Sequence, residues 1–144
     1  MLFRSMSQPD FHAFRRGDSV PPFTIRVRAD DARAYLAATG ESEATASLWA
    51  EHAPPLAVGA LLLAGLMDEV PLPAGAVHIG QDFEFVRPIP LGAEVDVRMT
   101  IAQQSVRGGQ NVIVFGSELS CDGVVMMRGR TMVAAPAPVQ EGAQ

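Results

Sequence analysis

The sequence contains no lysine, and all eleven of its basic side chains are arginine. The acidic side chains number sixteen, which gives a formal net charge of −5 at pH 7. Nucleic-acid binding needs clustered positive charge, so this balance argues against a nucleic acid as the partner. We attribute the absence of lysine to coding bias rather than to function.

Cysteine is also scarce. Cys121 is the only one, which excludes an internal disulfide and any cysteine-based metal site. We expect it to be a small core residue of a strand. The three histidines, His12, His52 and His78, lack the i, i+3 or i, i+4 spacing that a metal site uses, so we predict no metal.

Aromatic residues make up only 6% of the chain, whereas 48% of it is hydrophobic. The core must therefore be built mostly from alanine, valine, leucine and methionine. The length of 144 residues suits one domain. The longest apolar run, from Pro54 to Met67, is too short to cross a bilayer, and the N-terminus lacks the apolar stretch of a signal peptide. We expect a cytoplasmic protein without a membrane partner.

The first half of the chain predicts a strand, a helix, a polar loop and a buried helix. The stretch 23–28 alternates apolar and polar residues, as a half-buried strand does. A helix should follow and end near Gly40. Residues 55–68 are apolar on every side, which is typical of a buried helix. Glycine at position 59 would allow a backbone or a ligand to come close.

The second half predicts four antiparallel strands. Their spans are 77–87, 95–102, 112–121 and 124–133. Two hairpin turns are indicated, at Gly108-Gly109 and at Asp122-Gly123. One apolar helix with one antiparallel sheet predicts an α+β domain in which a curved sheet wraps the helix.

The predicted domain covers residues 17–134. Residues 1–16 are expected to form a flexible lead-in, and residues 135–144 a disordered tail. The free edges of such a sheet need cover, and pairing with a second sheet across a two-fold axis would supply it.

This order of elements resembles a single hot-dog domain, and local strings are similar to the MaoC-like dehydratase family, which includes (R)-specific enoyl-CoA hydratases. Gly17-Asp18 matches the family's opening, and the helix before Thr39-Gly40 matches its first helix. The string from Pro55 to Leu61 resembles the start of its central helix. The string 83–92 resembles its strand and turn, closest to the N-terminal halves of double hot-dog dehydratases.

The resemblance implies chemistry on 3-hydroxyacyl and 2-enoyl thioesters. In the family, the aspartate and histidine of a Gly-Asp-x-Asn-Pro-x-His loop activate the water that is added or removed. Here Glu41 stands at the aspartate position and Ala46 at the histidine position. The family's second common histidine falls on Val58, whereas the following glycine is kept as Gly59. The resemblance therefore implies a protomer that lacks the catalytic base.

Glu41 and His52 are the remaining candidates for acid–base catalysis. Glu41 is equally suited to be a solvated or capping carboxylate, and His52 to be a surface residue. If either acts, the chain would be an independent enzyme with substituted catalytic residues, such as an isomerase or a cyclase on a thioester or polyketide-type substrate.

The resemblance also implies a set of substrate-binding residues. Gly59 would place an N–H group on the thioester oxygen, although helix–sheet contact would also explain a glycine there. Arg87 would face the phosphates of CoA or of a carrier arm, although an arginine is ordinary at the end of a strand. Ala46, Pro55 and Val58 would surround the acyl chain. Trp49 is a further candidate for this role, although it suits a lid over the core better.

These predictions favour an accessory protomer of an acyl-thioester dehydratase, paired as a homodimer or a heterodimer with a second hot-dog protomer. The expected substrate is an acyl-CoA or an acyl-carrier-protein thioester, and no cofactor is expected. A non-catalytic acyl-binding protein is the third reading. A thioesterase is disfavoured, because that chemistry needs an acid on the central helix and Asp68 and Glu69 come only at its end.

Overall fold

The protein is described by a computed structural model that covers residues 8–40 and 49–139. Within these ranges, a short 3-10 helix, Phe11–Ala13, precedes two α-helices and five strands. These are β1 (Ser19–Arg26), α1 (Ala29–Ala38), α2 (Pro55–Glu69), β2 (Val77–Phe85), β3 (Glu94–Arg107), β4 (Gln110–Cys121) and β5 (Val124–Pro136). None of the helices in these ranges has the length and apolar character needed to cross a membrane.

The five strands form one curved antiparallel sheet in the order β1-β3-β4-β5-β2. Strand β3 alternates buried and exposed residues, so one face of the sheet is apolar. Helix α2 lies on that face and buries Val58, Leu62 and Leu66. These side chains share one core with the inward residues of β3, β4 and β5, which confirms the predicted α+β hot-dog architecture.

Two hairpins join β3, β4 and β5, and both follow from local turn chemistry. Asp122 and Gly123 have φ angles of 49° and 81°. A two-residue hairpin turn whose twist matches that of the strands needs positive φ angles at both positions. Gly108 and Gly109 also have positive φ angles, 54° and 78°. The predicted turns are therefore confirmed, although β3 extends to Arg107, beyond the predicted end at residue 102.

The predicted lead-in of residues 1–16 needs a correction. Phe11 is 2% exposed and Phe14 is 6% exposed, and both pack against Phe115 in the core. The side chain of Asp10 accepts a hydrogen bond from the N–H of His12 and caps the short helix. The described part of this segment thus belongs to the domain, because burying two phenylalanine rings stabilises it there.

The start of the predicted tail, at residue 135, also needs a correction. Strand β5 runs to Pro136, and Ala135 is fully buried in the core. Asn111 and Gln110 on β4 pair with Ala135 and Pro136. The alanine and proline content of this stretch predicts a tail, but the long strand β4 extends its backbone pairing with β5 as far as Pro136.

Strand β1 forms one edge of the sheet and contains Pro21-Pro22, upstream of its predicted start at residue 23. Its pairing with β3 is shifted between Val20 and Phe23, so the two prolines lie at an irregularity. Proline has no N–H group to donate, and it is tolerated in a sheet at such an edge.

Candidate functional site

An apolar cavity of about 230 Å³ lies at the N-terminal end of α2, between that helix and the sheet edge formed by β2 and β5. Its walls are mostly aliphatic and aromatic side chains. The residues that line it are Trp49, Ala53, Pro55, Val58, Phe85, Val86, Arg87, Pro88, Ile89, Met126 and Met127. A cavity of this character suits a short hydrocarbon chain.

The first turn of α2 forms one wall of this cavity. Pro55 is the first helical residue, where a missing N–H group costs nothing. The carbonyl of Pro54 accepts hydrogen bonds from the N–H groups of Ala57, at 3.0 Å, and Val58, at 3.2 Å. Because Pro55 and Val58 line the cavity, the positive end of the helix dipole lies at its wall, where it favours an oxygen that carries negative charge.

A short extended segment before α2 forms the wall next to the helix. The N–H group of Ala53 donates to the carbonyl of Ile89 at 2.7 Å, and that of Leu91 donates to the carbonyl of Glu51 at 2.9 Å. His52 forms the bridge with Pro90 between these bonds. Since Ala53 lines the cavity and His52 does not, this segment directs the candidate catalytic histidine elsewhere.

Arg87 is the only charged residue among the described residues that line the cavity. Its side chain is exposed, and a guanidinium N–H donates to the carbonyl of Val125 at 2.9 Å. The backbone N–H groups of Val86 and Arg87 both donate to the carbonyl of Met126. These bonds hold a positive charge at the rim, where it can meet an anionic group of a ligand.

Four of the residues predicted to bind substrate line this cavity: Trp49, Pro55, Val58 and Arg87. Gly59 does not. A Cβ on Gly59 would lie 2.6 Å from Cζ of Phe83, so contact with the sheet explains this glycine. Glu41 and Ala46 lie outside the described residues.

The other two histidines do not line the cavity either. Nδ1 of His12 lies 3.1 Å from the side-chain nitrogen of Asn111, and Nε2 of His78 lies 3.2 Å from Oε1 of Gln81. Over the ranges 8–40 and 49–139, the cavity lining thus contains no imidazole and no carboxylate. No group of residues in these ranges could hold a metal ion.

Cys121 is not suited to be a nucleophile. Partial burial, with smaller contributions from the carboxylates of Asp122 and Asp96, raises the pKa of its thiol. A thiol with a raised pKa stays protonated at neutral pH, and the thiolate is the reactive form. The residue is a partly buried member of a strand, as predicted.

Several cavity residues were not predicted from the sequence, namely Ala53, Phe85, Val86, Pro88, Ile89, Met126 and Met127. Phe85 had a usable signal, because it is one of a pair of phenylalanines two positions apart on a predicted strand and therefore shares a face with Phe83. The methionines had none, since their contact with α2 depends on how the sheet curves.

A larger and more open groove, of about 590 Å³, lies on the outer face of the sheet. Charged side chains of both signs cover it, and Arg128 lies 3.3 Å from Glu84 and 3.7 Å from Glu118. These ion pairs are exposed, and the groove also reaches Phe83, Ser117 and Gly129. We interpret it as the solvated face of the sheet, because exposed pairs of this kind stabilise little and bind nothing by themselves.

No protein-family model matches the sequence, and a comparison with curated proteins finds no match. Solved structures do match the fold. The (R)-hydratase from A. caviae that is involved in PHA biosynthesis has a TM-score of 0.66 at 18% identity, over 86% of this chain and 98% of that one. A MaoC-like dehydratase from Rhodospirillum rubrum has a TM-score of 0.71 at 19% identity, over 90% and 98%.

The HadBC complex from Mycobacterium tuberculosis, a (3R)-hydroxyacyl-ACP dehydratase, also matches. Its TM-score is 0.63 at 22% identity, over 83% of this chain and 96% of the matched chain. All of these identities are low, so the matches concern the path of the backbone. The chain has the hot-dog fold that these MaoC-like dehydratases and (R)-hydratases share.

Proposed function

We propose that the chain is a protomer of an acyl-thioester hydro-lyase, acting on 3-hydroxyacyl or 2-enoyl thioesters, and that it receives the acyl chain without supplying the catalytic base. The observation that carries this proposal is the apolar cavity at the start of α2. The described residues that line it offer no imidazole and no carboxylate.

The cavity has the features that bind an acyl thioester. Its aliphatic walls, with Val58 and Met127 fully buried, would shield a hydrocarbon chain from water. The positive end of α2 would attract the thioester oxygen. Arg87 at the rim would attract the phosphates of CoA or of a carrier arm.

Hydration and dehydration need a group that exchanges a proton with water beside the thioester. His52 does not line the cavity, and His12 and His78 are held at other parts of the sheet. The sequence between residues 40 and 49 contains no histidine, and alanine occupies the position that corresponds to the family's base. The proton chemistry would then come from a partner protomer.

The edge strand β2 is the surface that suits such a partner. Val77 is 57% exposed and Ile79 is 50% exposed on this edge. The opposite edge, β1, carries Pro21-Pro22, which blocks further strand pairing. A second hot-dog protomer would cover β2 and bring its own catalytic loop to the shared boundary, and HadBC is an example of a complex with this fold.

The proposal is tested by purifying the tagged chain from its native host and assaying it with crotonyl-CoA and longer enoyl thioesters. We expect a heterodimer with a second hot-dog chain that has the intact Asp/His loop, and we expect activity only in that heterodimer. The proposal is wrong if the chain is strictly homodimeric and hydrates enoyl thioesters alone.

A further inference from the structure

Two successive rows of inward-facing residues cross the sheet beside α2. In the first row Phe85 of β2 pairs with Met127 of β5, and both residues line the apolar cavity. In the second row Phe83 pairs with Gly129, which pairs in turn with Ser117 of β4. The two partners of Phe83 in the second row are thus a glycine without a side chain and a serine with a very small one.

The ring of Phe83 fills the space that these small residues leave. A Cβ on Gly129 would lie 3.3 Å from Cδ1 of this ring, and a Cβ on Gly59 of α2 would lie 2.6 Å from Cζ. The ring is therefore wedged between the backbone of the helix and the backbone of the sheet. Without the ring this gap would be empty, because neither glycine has a side chain that could fill it.

A buried hydroxyl lies next to this space. Ser117 is 6% exposed, and its Oγ has no hydrogen-bond partner among the described residues. A Cβ on Gly129 would lie 2.8 Å from that oxygen, so the hydroxyl points toward the gap that Phe83 covers. Buried hydroxyl groups are normally hydrogen-bonded, so a buried hydroxyl without a described partner is unusual in this core.

The Phe83 ring also lies next to a ring that lines the cavity. Its centroid lies 5.8 Å from that of Phe85, and the two rings are inclined by 31°. The row beyond Phe83 is polar, because Oγ1 of Thr131 donates to Oε1 of Gln81 at 2.8 Å. Phe83 thus lies between a row of residues that lines the cavity and a row that is polar at this edge.

We propose that Phe83 determines the chain length that the cavity accepts, by closing its deep end. This inference rests on the proposed function, since it takes an acyl thioester as the ligand. With the ring in place, the cavity holds a short acyl chain. Removing the ring would join the cavity to the space between Gly59 and Gly129 and lengthen it by about 7 Å, the rise of two strand residues.

The test compares the binding of butyryl-CoA and octanoyl-CoA to the purified chain by titration calorimetry. Both are saturated, so no turnover interferes with the measurement. The unmodified chain should prefer butyryl-CoA. In Phe83→Ala, octanoyl-CoA should bind at least about tenfold more tightly than it binds the unmodified chain, because burying only two of its additional methylenes already contributes about that factor.

The chain offers a matched control in Phe23→Ala. Phe23 of β1 packs its ring against Gly65 of α2, in the same way that Phe83 packs against Gly59. It lies at the opposite edge of the sheet and does not line the cavity. Phe23→Ala should lose comparable packing and leave the preference for butyryl-CoA unchanged.

A second variant fills the space again. Adding Gly59→Ala to Phe83→Ala places a methyl group in the vacated gap and keeps the backbone N–H group of residue 59. The double variant should bind octanoyl-CoA more weakly than Phe83→Ala does. If Phe83→Ala does not fold, Phe83→Val provides the same comparison with a smaller loss of packing.

The outcomes separate the two proposals. If neither thioester binds the unmodified chain or any of the variants, the proposed function is wrong, and this inference is wrong with it. If both thioesters bind and Phe83→Ala keeps the length preference of the unmodified chain, only the role of Phe83 is wrong. An equal change in Phe23→Ala would also overturn it, because the effect would then follow from lost packing in general.

Discussion

The side-chain amide of Asn111 donates a hydrogen bond to Nδ1 of His12, with 3.1 Å between the two nitrogens. Oδ1 of the same amide accepts a hydrogen bond from Nε2 of Gln104 at 2.9 Å. Asn111 is 3% exposed, so both bonds are shielded from water. This pair joins the segment before β1 to the hairpin of β3 and β4.

Replacing Asn111 with alanine should lower the free energy of unfolding by about 1–3 kcal/mol, because His12 and Gln104 would each lose a shielded hydrogen-bond partner. Urea denaturation would measure this loss. Gln103→Ala is the control, since Gln103 is an exposed neighbour on β3. Equal stability of the two variants would contradict the structural role of Asn111.

Phe11→Ala should lower the free energy of unfolding by about 3–5 kcal/mol, the usual cost of removing a buried phenylalanine ring. The ring centroid lies 6.4 Å from that of Phe115, inside the core. Thermal denaturation would show the change, with the exposed neighbour Arg16→Ala as the control. A loss similar to that of the control would mean that the segment is a flexible lead-in after all.

Ser117→Ala should raise the free energy of unfolding by about 1 kcal/mol, because it removes a buried hydroxyl that has no described partner. The exposed Ser105→Ala on β3 controls for the general effect of the substitution in a strand. Chemical denaturation of both variants measures the difference. A clear destabilisation by Ser117→Ala would show that the hydroxyl does make a hydrogen bond.

Ile79→Glu should weaken the association with a second hot-dog protomer by roughly tenfold or more, because it places a charge on the apolar edge of β2. Analytical ultracentrifugation of the complex would measure the dissociation constant. Val106→Glu is the matched control, since Val106 is 59% exposed near the β3–β4 turn. If both variants associate equally well, β2 is not the interface.

His52→Ala should leave the binding of butyryl-CoA and the activity of the complex within about twofold of the original values, because His52 does not line the cavity. A general acid or base at this position would instead contribute roughly 10²–10⁴-fold to the rate. Steady-state kinetics of the His52→Ala complex distinguishes an unchanged rate from such a loss. Arg87→Ala is the comparison, and it should weaken thioester binding, more so at low salt.

Elements with a local cause could be predicted from the sequence. Asp122-Gly123 forms a hairpin turn because its residues tolerate positive φ angles, whatever the rest of the chain does. Helix α2 begins at Pro55, as its proline pair predicts, and it buries one side against the sheet. The sequence predicts burial on every side, but Leu56 and Met67 are each 56% exposed. The helix's predicted span of 55–68 differs from the observed one by a single residue.

The candidate site could be predicted only in part. Pro55, Val58 and Arg87 are predicted from their place in motifs, and they line one cavity together with Trp49. Met126 and Met127 also line it, but nothing in a strand sequence tells which of its side chains meet a particular helix end. His52 is a candidate for acid–base catalysis by its residue type, but in the structure it forms a bridge with Pro90 and does not line the cavity.

The sequence by itself determined the order of the elements, the two glycine-rich turns, and the absence of a histidine between residues 40 and 49. Each of these depends on residues that are neighbours in the chain. Only the tertiary structure decided that Phe11 belongs to the core, that Asn111 holds His12, and that Phe83 fills the gap beside Gly59. Those relationships join distant parts of the chain, and they exist only once the curved sheet has closed around α2.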